Sequence, residues 1–384
     1  MQECPFPENV YRWQTRNDMR RRAAISWRRI WTFYRKPLIF LLSLQLITVV
    51  WNEWLAWEWC ERLWDIRYAD HDQGVHFLIV ADPQLVGYRE ERLPFPSITR
   101  WDADRYLKIG FERALRASKA DVVVFLGDLM NEGIQMSKAE FNLSLTRFES
   151  IFHMPTSTQK IYVSGDNDVG GEHERVIPYL VGRFSRHFIT TFDAATLGLQ
   201  ALNFVHVNAF NGATEVLWNS SSSLTVVFSH LPIVKFRSLL QQVRQMLNPI
   251  LIFSAHEHVA NFYEEDRHKS EGYKSISLLE SGSVVKTVGD GFKLIEFQTA
   301  TCSYRMGVPD MAYGMVSFFN SSSTIQRSFE VRYTALWLPR RFSQLKAYVV
   351  IVVVSLFVLL KVSPLGHRLL CCNSFFKHNS AFPS

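Results

Sequence analysis

The stretch that most constrains the fold is Val122 to Gly133 (VVVFLGDLMNEG). An apolar, mostly β-branched run leads without interruption into Gly127-Asp128, the pattern of a strand buried on both faces, as in a parallel sheet. A carboxylate on the turn at the C-terminal end of such a strand stands where open α/β sheets bind ligands. One Gly-Asp after a strand is commonly only a turn. This one gains weight because further strand-like runs end on Asp, Asn or His in ordered succession.

His76 to Ala81 (HFLIVA) reads as a strand leading into Asp82-Pro83-Gln84. Asp102 is read as the cap of a helix running to about Lys119, with Leu107, Gly110, Phe111, Ala114 and Leu115 on one face. Ser137 and Glu140 form a capping box for a second helix, Ser137 to about His153. Lys160 to Ser164 (KIYVS) is a third strand, ending in Gly165-Asp166-Asn167-Asp168. This alternation is the rhythm of a parallel sheet. A helix is expected near Glu174–His187. Beyond it come strand-like runs at Leu202–Val207, Leu224–Ser229, Ile250–Ala255, Tyr273–Leu279 and Phe292–Phe297. Leu224–Ser229 ends at His230, and Ile250–Ala255 ends at His256-Glu257-His258, where alternation would place both imidazoles on one side of an extended segment. A second, mainly antiparallel sheet packed on the first, with helices outside, predicts an α/β/β/α sandwich.

Both ends of the chain carry apolar runs. Leu38 to Val50 is almost uncharged, and Trp51, Trp54, Trp57 and Trp59 follow as an interfacial belt that completes a span near Trp57. Bulky tryptophans rather than small residues after the run argue for an uncleaved anchor over a signal peptide. Ala347 to Val362 is the second candidate; a buried core element is the alternative reading of each. Residues 1–36 hold nine Lys and Arg (Arg12, Arg16, Arg20, Arg21, Arg22, Arg28, Arg29, Arg35 and Lys36) against Glu3, Glu8 and Asp18. Directly before an apolar run, such a cluster places that end in the cytosol, and it argues against a nucleic-acid arm. The expected organisation is a cytosolic basic tail (1–36), a transmembrane helix (37–57), a lumenal domain (58–342), a second transmembrane helix (343–363) and a cytosolic tail (364–384). Three Asn-x-Ser sequons, at Asn142, Asn219 and Asn320, fall in the lumenal part. Cys60 and Cys302 would also be lumenal, where a disulfide is permitted and its formation is left open. Cys371 and Cys372, past the second span, are open to palmitoylation or remain free thiols.

Oxygen and imidazole donors at strand ends (Asp82, Gln84, Asp128, Asp166, His230, His256 and His258) are the set that a pair of divalent cations requires to activate water and neutralise charge in phosphoester hydrolysis. In order, the blocks Asp82-Pro-Gln84, Gly127-Asp128-Leu-Met-Asn131, Gly165-Asp166-Asn167-Asp168, His230 and Ala255-His256-Glu-His258 resemble those of the calcineurin-like metallophosphoesterases. The two terminal spans, the Glu132-Gly133 that follows Asn131 and the run to Arg183-Phe184 resemble the membrane-bound GPI-anchor-remodelling branch. The resemblance covers about residues 76–300.

That resemblance implies a metal-dependent phosphodiesterase that removes ethanolamine phosphate from the GPI-anchor glycan and promotes ER-to-Golgi transport of GPI-anchored proteins. Those proteins would be its substrate, with cargo-sorting partners, at the endoplasmic reticulum, ER exit sites or Golgi; the short second span favours the thinner early membranes. It implies two metal ions, Mn²⁺ in this family, a choice the mixed oxygen and imidazole donors allow. Asp82, Gln84 and His258 would hold one ion and His230, His256 and Asp166 the other, with Asp128 bridging. One departure stands out. Where the family has Gly-Asn-His-Asp, this chain has Gly165-Asp166-Asn167-Asp168, which puts Asn167 where the phosphate-contacting acid stands. A one-residue slip would instead make Asn167 the ligand and Asp168 the acid, and His173 lies a few residues on. The stretch between His230 and His256 is short, so substrate-contacting loops are expected to be reduced. The alternatives are a catalytically impaired relative that binds GPI-linked cargo, or a metallophosphatase of another lumenal phosphoester.

Overall fold

The computed structural model describes residues 35–66, 74–90, 95–220, 224–265, 272–279, 282–289, 291, 293–320 and 328–362. The basic cluster up to Tyr34 and the Cys371-Cys372 pair lie outside them. The chain divides into two compact units, one comprising Trp57–Arg341 and the other the two ends, Met1–Ala56 and Phe342–Ser384.

The strands, in chain order, are β1 (Val75–Val80), β2 (Val122–Leu126), β3 (Gln159–Val163), β4 (Asn203–Asn208), β5 (Ala213–Trp218), β6 (Thr225–Ser229) and β7 (Leu251–Ser254), then β8 (Asn261–Glu265), β9 (Tyr273–Ser277), β10 (Ser283–Gly289), β11 (Leu294–Gln298), β12 (Ala312–Asn320) and β13 (Ser328–Trp337). They form a six-stranded sheet, β10-β13-β12-β1-β2-β3, and a seven-stranded sheet, β5-β4-β6-β7-β11-β8-β9. In the first, β1, β2 and β3 run parallel, as the alternation of strand and helix predicts. In the second, β4, β6, β7 and β11 are parallel and only the flanking strands are antiparallel. The expectation of a mainly antiparallel second sheet is therefore corrected. Between β6 and β7 lies a helix, Arg237–Leu247, and a crossover of this kind is what parallel neighbours require. The same helix lies within the short stretch between His230 and His256.

Alternation along the strands separates two apolar clusters. Val226 and Phe228 of β6 join Phe77 and Ile79 of β1 in the core between the sheets, while Val227 points the other way to pack with Leu240 and Val243 of the Arg237–Leu247 helix. Rings cross the intersheet core, with Phe77 and Phe204 stacked at 6.1 Å. On the outer face of the first sheet, Phe125 meets Phe148 and Phe152 at 5.1 and 5.3 Å, which seats the helix Lys138–Ile151. Ser137 and Glu140 cap that helix reciprocally, as the sequence predicts. The result is a mixed α/β sandwich.

Two local expectations are corrected. The first long helix is Pro96–Ser118, starting with Pro at its first position, so Asp102 lies inside it and is buried rather than capping it. The helix expected near Glu174–His187 begins only at Pro178. Cys60 and Cys302 are both free thiols. Asn142 and Asn219 are exposed.

The ends hold two helices long and apolar enough to cross a membrane, Arg35–Arg62 and Arg341–Lys361, with mean hydropathies of 1.6 and 2.2 over their most apolar windows. The first includes a π-helical turn, Trp51–Leu55. Asn52 and Gln344 exchange side-chain-to-backbone hydrogen bonds of 3.1 and 2.9 Å, and the Tyr348 hydroxyl donates to Glu53 at 2.7 Å. Polar pairs of this kind can join helices where water is scarce.

Candidate metal centre

The C-terminal ends of β1, β2, β3, β6 and β7 converge, and each delivers a donor from its following loop. The loops are drawn tight. Gly127, at φ 87°, lies so near His230 that an added Cβ would fall 2.5 Å from Nδ1, and a Cβ on Gly165 would fall 2.2 Å from Asp128 Oδ1. Glycine before each aspartate is thus a steric requirement of the cluster. Seven non-glycine residues among those described have positive φ. Lys119 and Asn248 end helices, and the other five are Asp82, Gln84, Asp128, His256 and His258. Left-handed backbone at such residues costs free energy, and its concentration here is the pattern of a functional site. It also corrects one expectation: His256 and His258 sit on a bent loop at φ 71° and 63°, not on an extended segment. Both nevertheless line the same cavity.

His230 is the hub. Its Nδ1 donates to the Leu126 carbonyl at 2.7 Å, which fixes the ring and leaves Nε2 to face the carboxylates. Around Nε2 stand Asp166 Oδ1 at 3.1 Å, Asp128 Oδ1 at 3.5 Å and Asp82 Oδ1 at 3.8 Å. His256 Nδ1 lies 3.3 Å from His230 Nε2 and 3.1 Å from Asp166 Oδ1. Two sets of donors each lie within 4.8 Å of one another, Asp166 with His230 and His256, and Asp82 with Asp128 and His230. His258 belongs to neither set; its Nε2 lies 3.3 Å from the Gln84 amide nitrogen. That amide also donates to Asp128 Oδ2 at 2.8 Å, so Gln84 would have to turn its oxygen inward to serve as a ligand.

The charges in this cluster suit a cation. Asp82 is fully buried and its Oδ1 has no hydrogen-bond partner. Burial and the nearby Asp128, opposed by His230, push its carboxyl up to about 7. Burial also raises Asp128. Burial acts to lower His230, but Asp128, Asp166 and Asp82 outweigh it and carry the imidazole to about 10. Asp166 is held well below the usual carboxylate range, because hydrogen bonds from both histidines overcome its desolvation. Burial and the two other imidazoles hold His258 down at about 4, the neutral form a ligand needs. Crowded carboxylates that otherwise draw protons onto histidine, beside an orphaned buried oxygen, fit divalent cations held by oxygen and nitrogen donors.

The substituted block falls into place residue by residue. Asp166 faces the histidines, where the ungapped alignment puts a ligand. Asn167 lines the cavity and is anchored to Asp128, donating from its backbone N–H to Oδ1 at 2.9 Å and from its side chain to Oδ2 at 2.7 Å. Asp168 does not reach the cavity as an acid. Its buried carboxylate accepts from the backbone N–H groups of Gly165, Leu129 and Met130 at 3.0 to 3.3 Å, tying the loop after β3 to the loop after β2. The catalytic expectation for Asp168 is corrected to one of positioning. His173 is exposed at the cavity rim beside Glu172.

Several supports escaped the sequence reading. Glu132 accepts from the N–H groups of Tyr88, Arg89 and Glu90, locking the loop that follows Gln84. Lys235 and Glu257 form an ion pair at 2.5 Å that latches the His230 loop to the His256–His258 loop. Arg183, flagged for its resemblance, is buried and donates to the Gly133 carbonyl at 2.6 Å. Glu172 Oε1 stands 3.9 Å from His256 Nε2. Of these, Glu132, within the Asn-Glu-Gly run, and Arg183, in the Arg183-Phe184 run, gave a signal in the sequence, and Lys235, Glu257 and Glu172 gave none. The cavity over the cluster measures about 320 Å³ and is lined by Gln84, Asp128, Asp166, Asn167, His256 and His258 together with the 171–174 loop.

The profile of the calcineurin-like phosphoesterases matches residues 75–260. Residues 75–260 form a calcineurin-like phosphoesterase domain. Among individual proteins, the chain is similar to Metallophosphoesterase 1 homolog of Drosophila melanogaster, at 29% identity over 138 residues, 36% of each chain. Metallophosphoesterase 1 of Gallus gallus is 28% identical over 155 residues, 40% of this chain and 37% of that one. The protein of the same name from Pongo abelii is 29% identical over 168 residues, 43% of this chain and 40% of that one. The chain thus spans about two-fifths or less of the length of these curated relatives. Metallophosphoesterases use divalent metals, and the donor set of this domain fits that use.

Proposed function

We propose that the protein is a membrane-anchored, metal-dependent phosphodiesterase that removes ethanolamine phosphate from the glycan of GPI-anchored proteins and so promotes their passage from the endoplasmic reticulum to the Golgi. The observation that carries the hydrolytic part is the pair of donor sets sharing His230 beneath an open polar cavity. The substrate is supported by the similarity to Metallophosphoesterase 1 proteins and by the two apolar terminal helices, which suit a site acting on a lipid-linked glycan. In this reading the domain between the helices is lumenal and glycosylated, and the tails are cytosolic.

Asp166, His230 and His256 would hold one cation and Asp82, Gln84 and His258 the other, with Asp128 between them. Cations bound there, Mn²⁺ by preference, supply the charge that activates water and offsets the negative charge developing on phosphate. The chain's own residues do the remaining work. The Leu126 carbonyl keeps the His230 proton on Nδ1, Asp168 fixes the loop that carries Asp166, and the Asn167 amide presents a neutral donor at the cavity wall.

Full-length protein supplied with Mn²⁺ should release ethanolamine phosphate from purified GPI-anchored substrate, detected by mass spectrometry, and the Asp128→Ala variant should not. No release from the parent under conditions where it binds metal would overturn the substrate assignment. One observation favours a second reading, a cargo-binding relative with impaired catalysis: Asn167 cannot donate a proton to a leaving group, and a positioned acid is worth about 10²–10⁴-fold in rate. Retained binding of GPI-linked protein without turnover would select it.

A further inference from the structure

We propose that the first two turns of the helix Pro96–Ser118 form an interfacial foot that lies in the lipid headgroup layer. The inference rests on the terminal helices being membrane spans. Phe95, Ile98 and Trp101 are 65%, 60% and 62% exposed and recur at helical spacing, i, i+3 and i+6, on one face. Exposed large apolar side chains gathered in this way mark a binding surface. The polar partners on the same helix are positive. Arg105 lies over the Trp101 ring at 5.9 Å, and Arg100 over Tyr88 at 4.5 Å. The two aspartates of this stretch are neutralised, Asp102 by Arg341 and Asp104 by Arg147 at 2.7 Å. An apolar face with Trp, flanked by arginine, is the composition that settles at the boundary of headgroups and acyl chains.

The helix's attachments commit the surface to a bilayer rather than to another protein. Along its length it is pinned to the two segments that join the domain to the apolar runs. Arg113 pairs with Glu58 at 2.8 Å and Glu61 at 2.6 Å, and Tyr106 packs against Trp57 at 5.1 Å. Tyr106 also donates to the Pro339 carbonyl at 2.8 Å. Asp102, the residue after Trp101, holds Arg341, the first residue of the second apolar helix. The peptide chain therefore leaves this helix's neighbours directly into both candidate spans. A foot on the same helix would fix the tilt of the domain over the membrane, and with it the approach of a membrane-bound substrate.

The test places the photo-cross-linking residue p-benzoylphenylalanine at Phe95, Ile98 or Trp101, and at Met246 as control. Met246 is 49% exposed and lies on the helix covering the other sheet. Each full-length variant is reconstituted into nanodiscs of phosphatidylcholine and phosphatidylserine, irradiated, and analysed by peptide mass spectrometry. The expected result is lipid adducts at all three positions, at least about tenfold above Met246. Adducts at the Met246 level, or adducts to a second copy of the chain, overturn the foot. Failure of the protein to enter nanodiscs at all would instead overturn the membrane reading on which it stands. Melting temperatures within error of the parent's confirm that the probes have not perturbed the fold.

Discussion

Two buried carboxylates, Asp82 and Asp102, show how differently the molecule treats charge at its two working regions. Asp102 accepts from Arg341 and from the Tyr304 hydroxyl at 2.8 Å, so its charge is balanced within the fold. Asp82 sits at φ 45°, in the left-handed region, with one oxygen lacking a hydrogen-bond partner. Burying a polar group without a partner costs free energy that a self-sufficient core avoids. Asp102 ties the Pro96–Ser118 helix to Arg341. Asp82 is incomplete unless something positive arrives.

The comparison predicts where damage will fall. Arg341→Ala strands a buried carboxylate, and breaking a buried pair costs about 3–5 kcal/mol. Chemical denaturation should show a loss of that order, with metal content per folded molecule unchanged. A smaller loss accompanied by metal release would mean that the two regions are not separable. At the metal end, Asn167→His restores a proton donor at the cavity wall and should raise turnover by about 10²-fold or more, at the low end of what a positioned acid contributes. No change in kcat would mean that leaving-group protonation does not limit the rate.

The third contrast is in pH. Asp82 and Asp168, each raised to about 7 chiefly by burial, and His230, raised to about 10 by its carboxylate neighbours, bind more protons folded than unfolded. Without metal, the domain should lose stability as pH climbs from the ordinary carboxylate range through 7 and on towards 10. Asp166, held low, has the opposite sign in strong acid, and His258, held down at about 4, has it between there and the ordinary imidazole range, where Asp82 and Asp168 together outweigh it. Cations held at the cluster would displace the protons of Asp82 and His230, so the rise in melting temperature on adding Mn²⁺ should grow between pH 6 and pH 8; a shift that shrinks would contradict the assignment. The smallest effect is expected from Lys235→Ala. Its pair with Glu257 is about a third exposed on each side and worth under about 1 kcal/mol, so weaker metal affinity rather than unfolding should be the readout in a titration.

The sequence displayed the metal end more clearly than the rest. Asp82, Asp128, Asp166, His230 and His256 each follow a strand with an apolar stretch near its end, and that local coupling of strand to turn survives without an alignment. The placement of β12 beside β1 does not, because Val75 pairs with Phe318 across most of the domain and no local pattern encodes so distant a partner. Edge strand β5 is mostly exposed and gives no apolar run. Asp102 was misread for a related reason. A carboxylate near a helix start looks like a cap, and its partners Arg341 and Tyr304, far along the chain, explain its burial. Asp168 looked available for chemistry because three backbone N–H donors leave no trace in a sequence.

The measurement that bears most directly on the central claim is the metal content of purified full-length protein, determined by elemental analysis beside the Asp128→Ala variant. The account predicts about two divalent ions per chain in the parent and a clear loss in the variant, because Asp128 belongs to one donor set and lies 3.5 Å from the His230 that both sets share. A parent that carries no metal after incubation with Mn²⁺, or a variant that keeps its full complement, would contradict it.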